Sequence, residues 1–315
     1  MSILKKALAA AVVAGLVSTV GVVPANSAPK NQARSVAQAD WLEANLDNPK
    51  VRIIEVSTEP GIYERGHIKN AIKFVWHTDL VDTVNRDIIN AKNFSKLVQK
   101  AGISDDTTVV LYGDKNNWFA AWGAWIFNIY GQKDVRVLDG GRVKWEKDGR
   151  ALTTAVPTFS AGNFTATRAD KAIRATLIND VLPVAKKRVK ADLVDIRGAD
   201  EFNGKIFAAP GFQELSVRAG HIPGAVNVPW GANVNADGTF KTVAELKKLY
   251  ADKGIDGKQN IITYCRIGER SSLTWFVLSE ILGYNVKNYD GSWTEYGNSV
   301  GVPIVNNAGT IWGGA

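Results

Sequence analysis

Cys265 is the only cysteine of the chain, and it stands where a thiol can be made to react. The stretch NIITYCRIGERSSLTWFVLSEILGY (residues 260–284) delivers it from a β-branched run into a short loop of Arg266, Ile267, Gly268, Glu269 and Arg270, and an apolar-periodic helix follows. A cysteine attacks as thiolate, and an unperturbed thiol with a pKa near 8.5 is only a few per cent ionised at neutral pH. Bringing such a group to about 6.5 takes about 2.7 kcal/mol of differential stabilisation. A helix N-terminus supplies about 0.3–2 kcal/mol, and the N–H groups of a tight loop with a nearby arginine supply the rest. The segment from Cys265 to Ser272 offers all three: Gly268 permits the turn, and Arg266 and Arg270 outweigh Glu269 by one positive charge. A free cysteine is also commonly just a small buried hydrophobe; its position, the flanking charge and the lack of a second thiol favour chemistry. Glu269 is expected to pair with an arginine and fix the loop, an outward solvated side chain fitting the sequence equally well.

The elements that must hold this loop come in two sets. YERGHIKNA (Tyr63–Ala71) returns as VRAGHIPGA (Val217–Ala225), VVLYG (Val109–Gly113) as IITYC (Ile261–Cys265), and RVLDGGRVKW (Arg136–Trp145) as KNYDGSWTEY (Lys287–Tyr296), at offsets of 154, 152 and 151 residues. Such agreement means two copies of one domain. An earlier pair, RIIEVS (Arg52–Ser57) and DLVDIR (Asp192–Arg197), sits at an offset near 140, so the second copy carries about 14 extra residues within Gly204–Arg218. An insertion of that length is expected to form a surface loop, where function often resides. Strands are expected at 51–56, 108–112 and 134–138, matched by 192–196, 260–264 and 286–289; helices at Ala91–Lys100 and Phe119–Tyr130, matched by Val243–Asp252 and Ser272–Leu282. This alternation predicts an α/β fold of two tandem domains, each a parallel sheet with helices on both faces, joined by the Pro/Gly/Ser-bearing segment 153–164. Ligands of such sheets sit outside the carboxyl ends of strands, which is where Cys265 lies.

The N-terminus reads differently. Lys5 and Lys6, an uncharged run from Ala7 to Val23, and small residues at Ala25 and Ser27 follow the order of a secretory signal, so 1–27 is expected to be a cleaved signal peptide and the protein periplasmic or secreted. An uncleaved anchor is the rival, the run being near the short end of a spanning helix; no other segment is long and apolar enough. Export invites disulfides, but one cysteine cannot form an internal one, so the cores must hold the fold. Hydrophobic residues make up 45% and charged residues 22%, and Lys and Arg exceed acids by 38 to 31 (pI about 9.3). The basic residues are scattered without interleaved aromatics, which argues against nucleic acid and leaves a solvated surface that helps a small anion approach.

His67 and His221 repeat in the two GHI turns, including the copy without a thiol, so a structural role is expected; His77 has no counterpart. Three histidines with one cysteine, none at ligand spacing, give no metal site and no cofactor. Trp230 and Trp293 are expected to line the interdomain cleft, with core packing the alternative.

The two GHI copies, the strand ending in TYCRIGER, CRIGERSS, AGHIPGAVNVPW and YDGSW resemble the tandem-domain rhodanese family, specifically exported bacterial thiosulfate sulfurtransferases, over residues 34–304. The resemblance implies a silent domain (34–152), with Gly113 and Asp114 where the nucleophile would be, and a catalytic domain (165–304) whose Cys265 carries a persulfide cradled by Cys265–Arg270. It implies a monomer acting on small molecules, thiosulfate as sulfur donor and cyanide or a thiol as acceptor, with Arg266, Ile267, Gly268, Glu269 and Arg270 around the substrate. Ile267 stands where better-studied relatives carry lysine, which leaves the cationic contact to Arg266 or Arg270, and Leu273 stands where relatives with the same loop have histidine. A 3-mercaptopyruvate sulfurtransferase, a phosphatase and a non-enzymatic sulfur carrier are the rivals. Phosphatases of related fold place arginine six positions after the cysteine; position 271 here is serine, and Arg270 is five after.

Overall fold

The computed structural model describes residues 32–166, 169–213 and 215–312; the expected signal segment lies outside the described residues. The first half contains strands β1 (Val36–Ala37), β2 (Val51–Glu55), β3 (Ala71–Lys73), β4 (Val81–Asp82), β5 (Asp87–Ile88), β6 (Thr108–Tyr112) and β7 (Asp134–Leu138), and the second β8 (Arg174–Ala175), β9 (Asp192–Asp195), β10 (Ala225–Asn227), β11 (Ile261–Tyr264) and β12 (Val286–Tyr289). Two five-stranded sheets result, in the orders β1-β7-β6-β2-β3 and β8-β12-β11-β9-β10, and every pairing in them is parallel. The orders correspond strand for strand, so the sequence repeat is a duplication of a whole sheet. β4 and β5 form a separate antiparallel ribbon.

The central strands stand where the β-branched runs predict them, because a parallel strand covered on both faces is apolar throughout. β6 (TVVLY) is buried from Val109 to Tyr112, and all four residues of β11 (IITY) are buried. The edge strands β1, β3, β8 and β10 are two or three residues long, too short for any periodicity to announce them. The helix expected from Ser272 starts earlier, at Glu269, and passes at Val277 into a wider turn ending at Ile281, with Gly283 (φ +74°) as its stop.

The halves share one apolar core. The helix Trp118–Ile129 (WFAAWGAWIFNI) is apolar on nearly every side and buried at ten of its twelve positions, the pattern of a helix covered all round. One side faces its own sheet and another packs on Glu269–Phe276 of the second half, so a single cluster runs from Ile54 and Leu111 through Trp125 to Leu273 and Phe276. Polar ties cross the same boundary: Trp125 Nε1 donates to Ile173 O at 2.9 Å, and Phe240 N donates to Asp139 Oδ1 at 2.8 Å.

The segment 153–164 runs without helix or strand. So do the described residues of the insertion 204–218, and its return is clamped by Arg218, whose guanidinium donates to the carbonyls of Tyr296, Gly297, Ser299 and Val302 at 2.7–2.9 Å. Trp293 departs from its expected place in the cleft. It is fully buried in the second domain's own core, with Nε1 on Arg218 O at 2.9 Å. Trp230 does face the other half, edge-on to Trp118 with centroids 4.6 Å apart.

Candidate active site

β11 ends at Tyr264, and Cys265 is the first residue beyond it, with no exposed surface. The chain then turns into the helix that begins at Glu269, and Gly268 makes the turn at φ +101°. A Cβ there would lie 2.5 Å from Asp290 Oδ1 and 2.8 Å from Asp290 Cα, so only glycine fits. The turn aims the Gly268 N–H at the Cys265 sulfur, 3.1 Å away. Ser292 supports the nucleophile from the other side: its hydroxyl oxygen accepts from Cys265 N at 3.1 Å and lies 4.0 Å from the sulfur.

Behind the sulfur, a polar knot holds the loop. The Gly268 carbonyl accepts from Ser271 Oγ (2.9 Å), Ser272 Oγ (2.8 Å) and Asn288 Nδ2 (3.1 Å), and Asn288 is itself bonded to Ser271. Trp293 N and Thr294 N donate to the carbonyls of Cys265 and Arg266 at 3.0 and 2.9 Å. A loop so fully bonded keeps the Gly268 amide directed at the sulfur whether or not substrate is present, which is the preorganisation that stabilises an anion without reorganisation cost.

The two arginines of the loop are placed differently. Arg270 is buried, and its guanidinium is bonded to the buried carboxylate of Glu201 at 3.3 and 3.5 Å. Burial disfavours its charged form, but the neighbouring Cys265 sulfur and Glu201 outweigh this and its pKa is raised. Arg266 is half-buried and donates to Gln213 O of the insertion at 2.7 Å. The exposed Phe212 ring lies 5.9 Å from both guanidinium carbons, so the insertion roofs the loop. Ile267 and Glu269, with Arg266, turn toward a cleft of about 830 Å³ whose far wall comes from the first domain: Trp76, His77, Arg86 and Trp122.

Glu269 does not pair with an arginine as expected. It is buried, and no ion pair within 4.0 Å reaches it among the described residues. Burial, then the charge of Asp290, push its pKa up to about 8 from an ordinary 4.5, against the pull of Arg86 and Arg266. A carboxyl whose folded pKa is raised holds its proton while the unfolded chain has lost it, so stability falls as pH rises from about 4.5 to about 8. Glu269→Gln is expected to flatten that fall, seen as a smaller drop in denaturation midpoint between pH 5 and pH 8 than in the wild type.

Sequence reasoning missed Glu201, Asp290, Ser292 and Arg86. Asp290 was within reach, since the repeat sets it opposite Asp139, and both reach across to the other half: Asp139 to Phe240 N, and Asp290 to Trp122 Nε1 at 3.3 Å and to Arg86. Burial raises the pKa of Asp290. His67 and His221 are structural, each with Nδ1 on a carbonyl, Tyr63 O at 2.9 Å and Phe202 O at 2.7 Å, and each stacked on that residue's ring. In the first half the position of the nucleophile is closed: a Cβ on Gly113 would lie 2.2 Å from Val56 O.

One half thus presents a lone cysteine beside the Gly268 amide at a strand end, and the other is the same fold with that place closed, the arrangement of a duplicated sulfurtransferase. The rhodanese-like domain model matches residues 38–148 and 182–299, and the chain belongs to the rhodanese family. A Mycobacterium tuberculosis protein named "Putative thiosulfate sulfurtransferase" is 54% identical over 271 residues, covering 85% of this chain and 96% of its own. The Sulfur carrier protein TtuD of Thermus thermophilus is 50% identical over 273 residues, 85% of this chain and 95% of its own. Among solved structures, SseA of Escherichia coli, a 3-mercaptopyruvate sulfotransferase, aligns with a TM-score of 0.71 at 28% identity, over 82% of this chain and 98% of that one.

Proposed function

We propose that the chain is an exported, monomeric thiosulfate:acceptor sulfurtransferase working by double displacement. The observation that carries this is the Gly268 amide donating to the Cys265 sulfur, the only thiol of the chain, at 3.1 Å. The Cys265 thiolate attacks the sulfane sulfur of thiosulfate; the S–S bond of the donor breaks as the Cys–S–S⁻ persulfide forms, and sulfite leaves with the bonding pair. Cyanide or a thiolate then takes the outer sulfur, giving thiocyanate or a new persulfide and restoring the thiolate. The amide stabilises the attacking thiolate at Sγ, and Arg270 adds a cation beside it.

The thiosulfate reading is supported by the relative from M. tuberculosis and by the charge of the loop, since a compact dianion gains more from guanidinium groups than a monocarboxylate does. The test is kcat/KM for thiosulfate and for 3-mercaptopyruvate: thiosulfate is expected to be the better donor. A preference for mercaptopyruvate would overturn the donor while leaving the persulfide chemistry in place. The relative named a sulfur carrier supports a second reading, in which the loop loads sulfur without turning over; multiple turnovers with cyanide would exclude it. Export rests on Lys5-Lys6, the apolar run and Ala25-Asn26-Ser27. N-terminal sequencing of the protein from its source cells is expected to start at or near Ala28, and a soluble cytoplasmic protein beginning at Met1 or Ser2 would refute it.

A further inference from the structure

We propose that Arg86, supplied by the half without a nucleophile, is a positioning residue that orients and polarises the amide donor of Cys265; this rests on the sulfurtransferase reading above. Arg86 stands at the tip of the ribbon β4–β5, in the left-handed region at φ +51°, and reaches into the second domain. Its Nη2 donates to the carbonyl of Ile267 at 3.1 Å, while Nη1 donates to Asp290 Oδ2 at 3.2 Å and to Asp290 O at 3.5 Å.

The Ile267 carbonyl and the Gly268 N–H belong to one peptide unit. In a planar trans peptide those two groups point in opposite directions. Arg86 therefore grips the outer end of the unit whose inner end donates to the Cys265 sulfur. Two consequences follow. The peptide cannot rotate its N–H away from the sulfur without breaking a charge-assisted hydrogen bond. A cation on the carbonyl also draws electrons from the amide and strengthens its N–H as a donor, as in any hydrogen-bonded chain. The other loop carbonyls are held from within the second domain, Gly268 O by Ser271, Ser272 and Asn288, and Cys265 O and Arg266 O by the backbone at Trp293 and Thr294. The peptide that faces the sulfur is the one held from across the boundary.

Asp290 fixes the guanidinium in place. Its carboxylate is buried and accepts from Trp122 Nε1 at 3.3 Å, with Arg174 3.8 Å away. A purely architectural role for Arg86 is a poor fit, because its side chain is 53% exposed and the halves already share an apolar core.

Ile267–Gly268 is the only Ile-Gly step in the sequence. Labelling isoleucine carbonyl carbon with ¹³C and glycine nitrogen with ¹⁵N therefore gives one correlated amide signal, that of the peptide in question. The experiment compares this signal, and the rate and donor dependence of persulfide formation from thiosulfate, in the wild type, Arg86→Gln, Arg86→Lys and Asp290→Asn. Arg86→Gln is expected to move the amide proton upfield and to slow sulfur loading at saturating thiosulfate roughly tenfold, less than the loss of a whole oxyanion donor, with KM nearly unchanged. Arg86→Lys should recover part of both, and guanidinium ion added to Arg86→Ala should recover part of the rate. An unmoved amide signal in Arg86→Gln overturns the proposal. So does a loss confined to KM, which would make Arg86 a donor contact, and so does an equal loss in Asp290→Asn with the amide signal unmoved. Should Arg86→Gln not fold, Arg86→Lys carries the same comparison. If the wild type takes no sulfur from thiosulfate, the proposed reaction fails, and the amide signal still decides for Arg86.

Discussion

Cys265→Ser is expected to accept no sulfur from thiosulfate and to form no thiocyanate, while the wild type gains one sulfur atom that cyanide removes. The serine hydroxyl occupies nearly the same volume and can accept the Gly268 N–H that the sulfur accepts at 3.1 Å, so the loop and its bonds to Ser292 and Asn288 should survive. Folding is thereby separated from chemistry. A hydroxyl is ionised far less readily than a thiol, and the intermediate it would have to form has no sulfur–sulfur bond. Deleting a nucleophile of this kind costs on the order of 10⁶-fold in turnover. No other thiol can substitute, because Cys265 is the only cysteine of the chain. Intact mass before and after incubation with thiosulfate, and again after cyanide, reads the result. A Cys265→Ser protein that still makes thiocyanate would remove the persulfide from the mechanism.

What could be read in advance follows from how far each interaction reaches along the chain. The run at 108–112 announces a strand because burial on both sheet faces demands an apolar pattern, while 134–138 and 286–289 carry Asp134, Arg136, Lys287 and Asn288 among their apolar residues and signal their strands less clearly. The duplication is visible because three motifs keep the same spacing, and the nucleophile because one thiol stands at a strand end. The partners are invisible for the opposite reason. Glu201 lies 69 residues from Arg270 and Arg86 204 residues from Asp290, and nothing local marks either as facing the loop. Glu269 shows the limit clearly. Its sequence neighbours Arg266 and Arg270 invite an ion pair, yet helix geometry turns Arg270 toward Glu201 and leaves Glu269 in the cleft beside Asp290. Charge counted along the loop therefore overstates its positive field, since the Glu201 carboxylate offsets Arg270.

That offset sets up the second large effect. Arg270→Gln is expected to leave Glu201 as an unpaired carboxylate with almost no exposed surface, and removing one partner of a buried pair costs about 3–5 kcal/mol, a large part of the stability of a typical domain. Glu201 also accepts from Gly198 N at 3.0 Å at the start of its helix, a bond that Gln can keep. Glu201→Gln should likewise destabilise, by leaving Arg270 unpaired, but it raises the net positive charge beside Cys265. The double variant replaces the ion pair by two neutral amides and is expected to regain most of the lost stability in a denaturant titration. Activity should part company with stability there. A charged hydrogen bond to an anionic donor is worth about 1.5–3 kcal/mol, roughly ten- to hundredfold in kcat/KM. That loss should persist in the double variant, because the cation is still missing, whereas Glu201→Gln alone should keep or increase its use of thiosulfate wherever it is folded. If kcat/KM instead recovers with stability in the double variant, Arg270 serves the fold alone, and the charge that meets thiosulfate must come from Arg266, which here donates to Gln213 O.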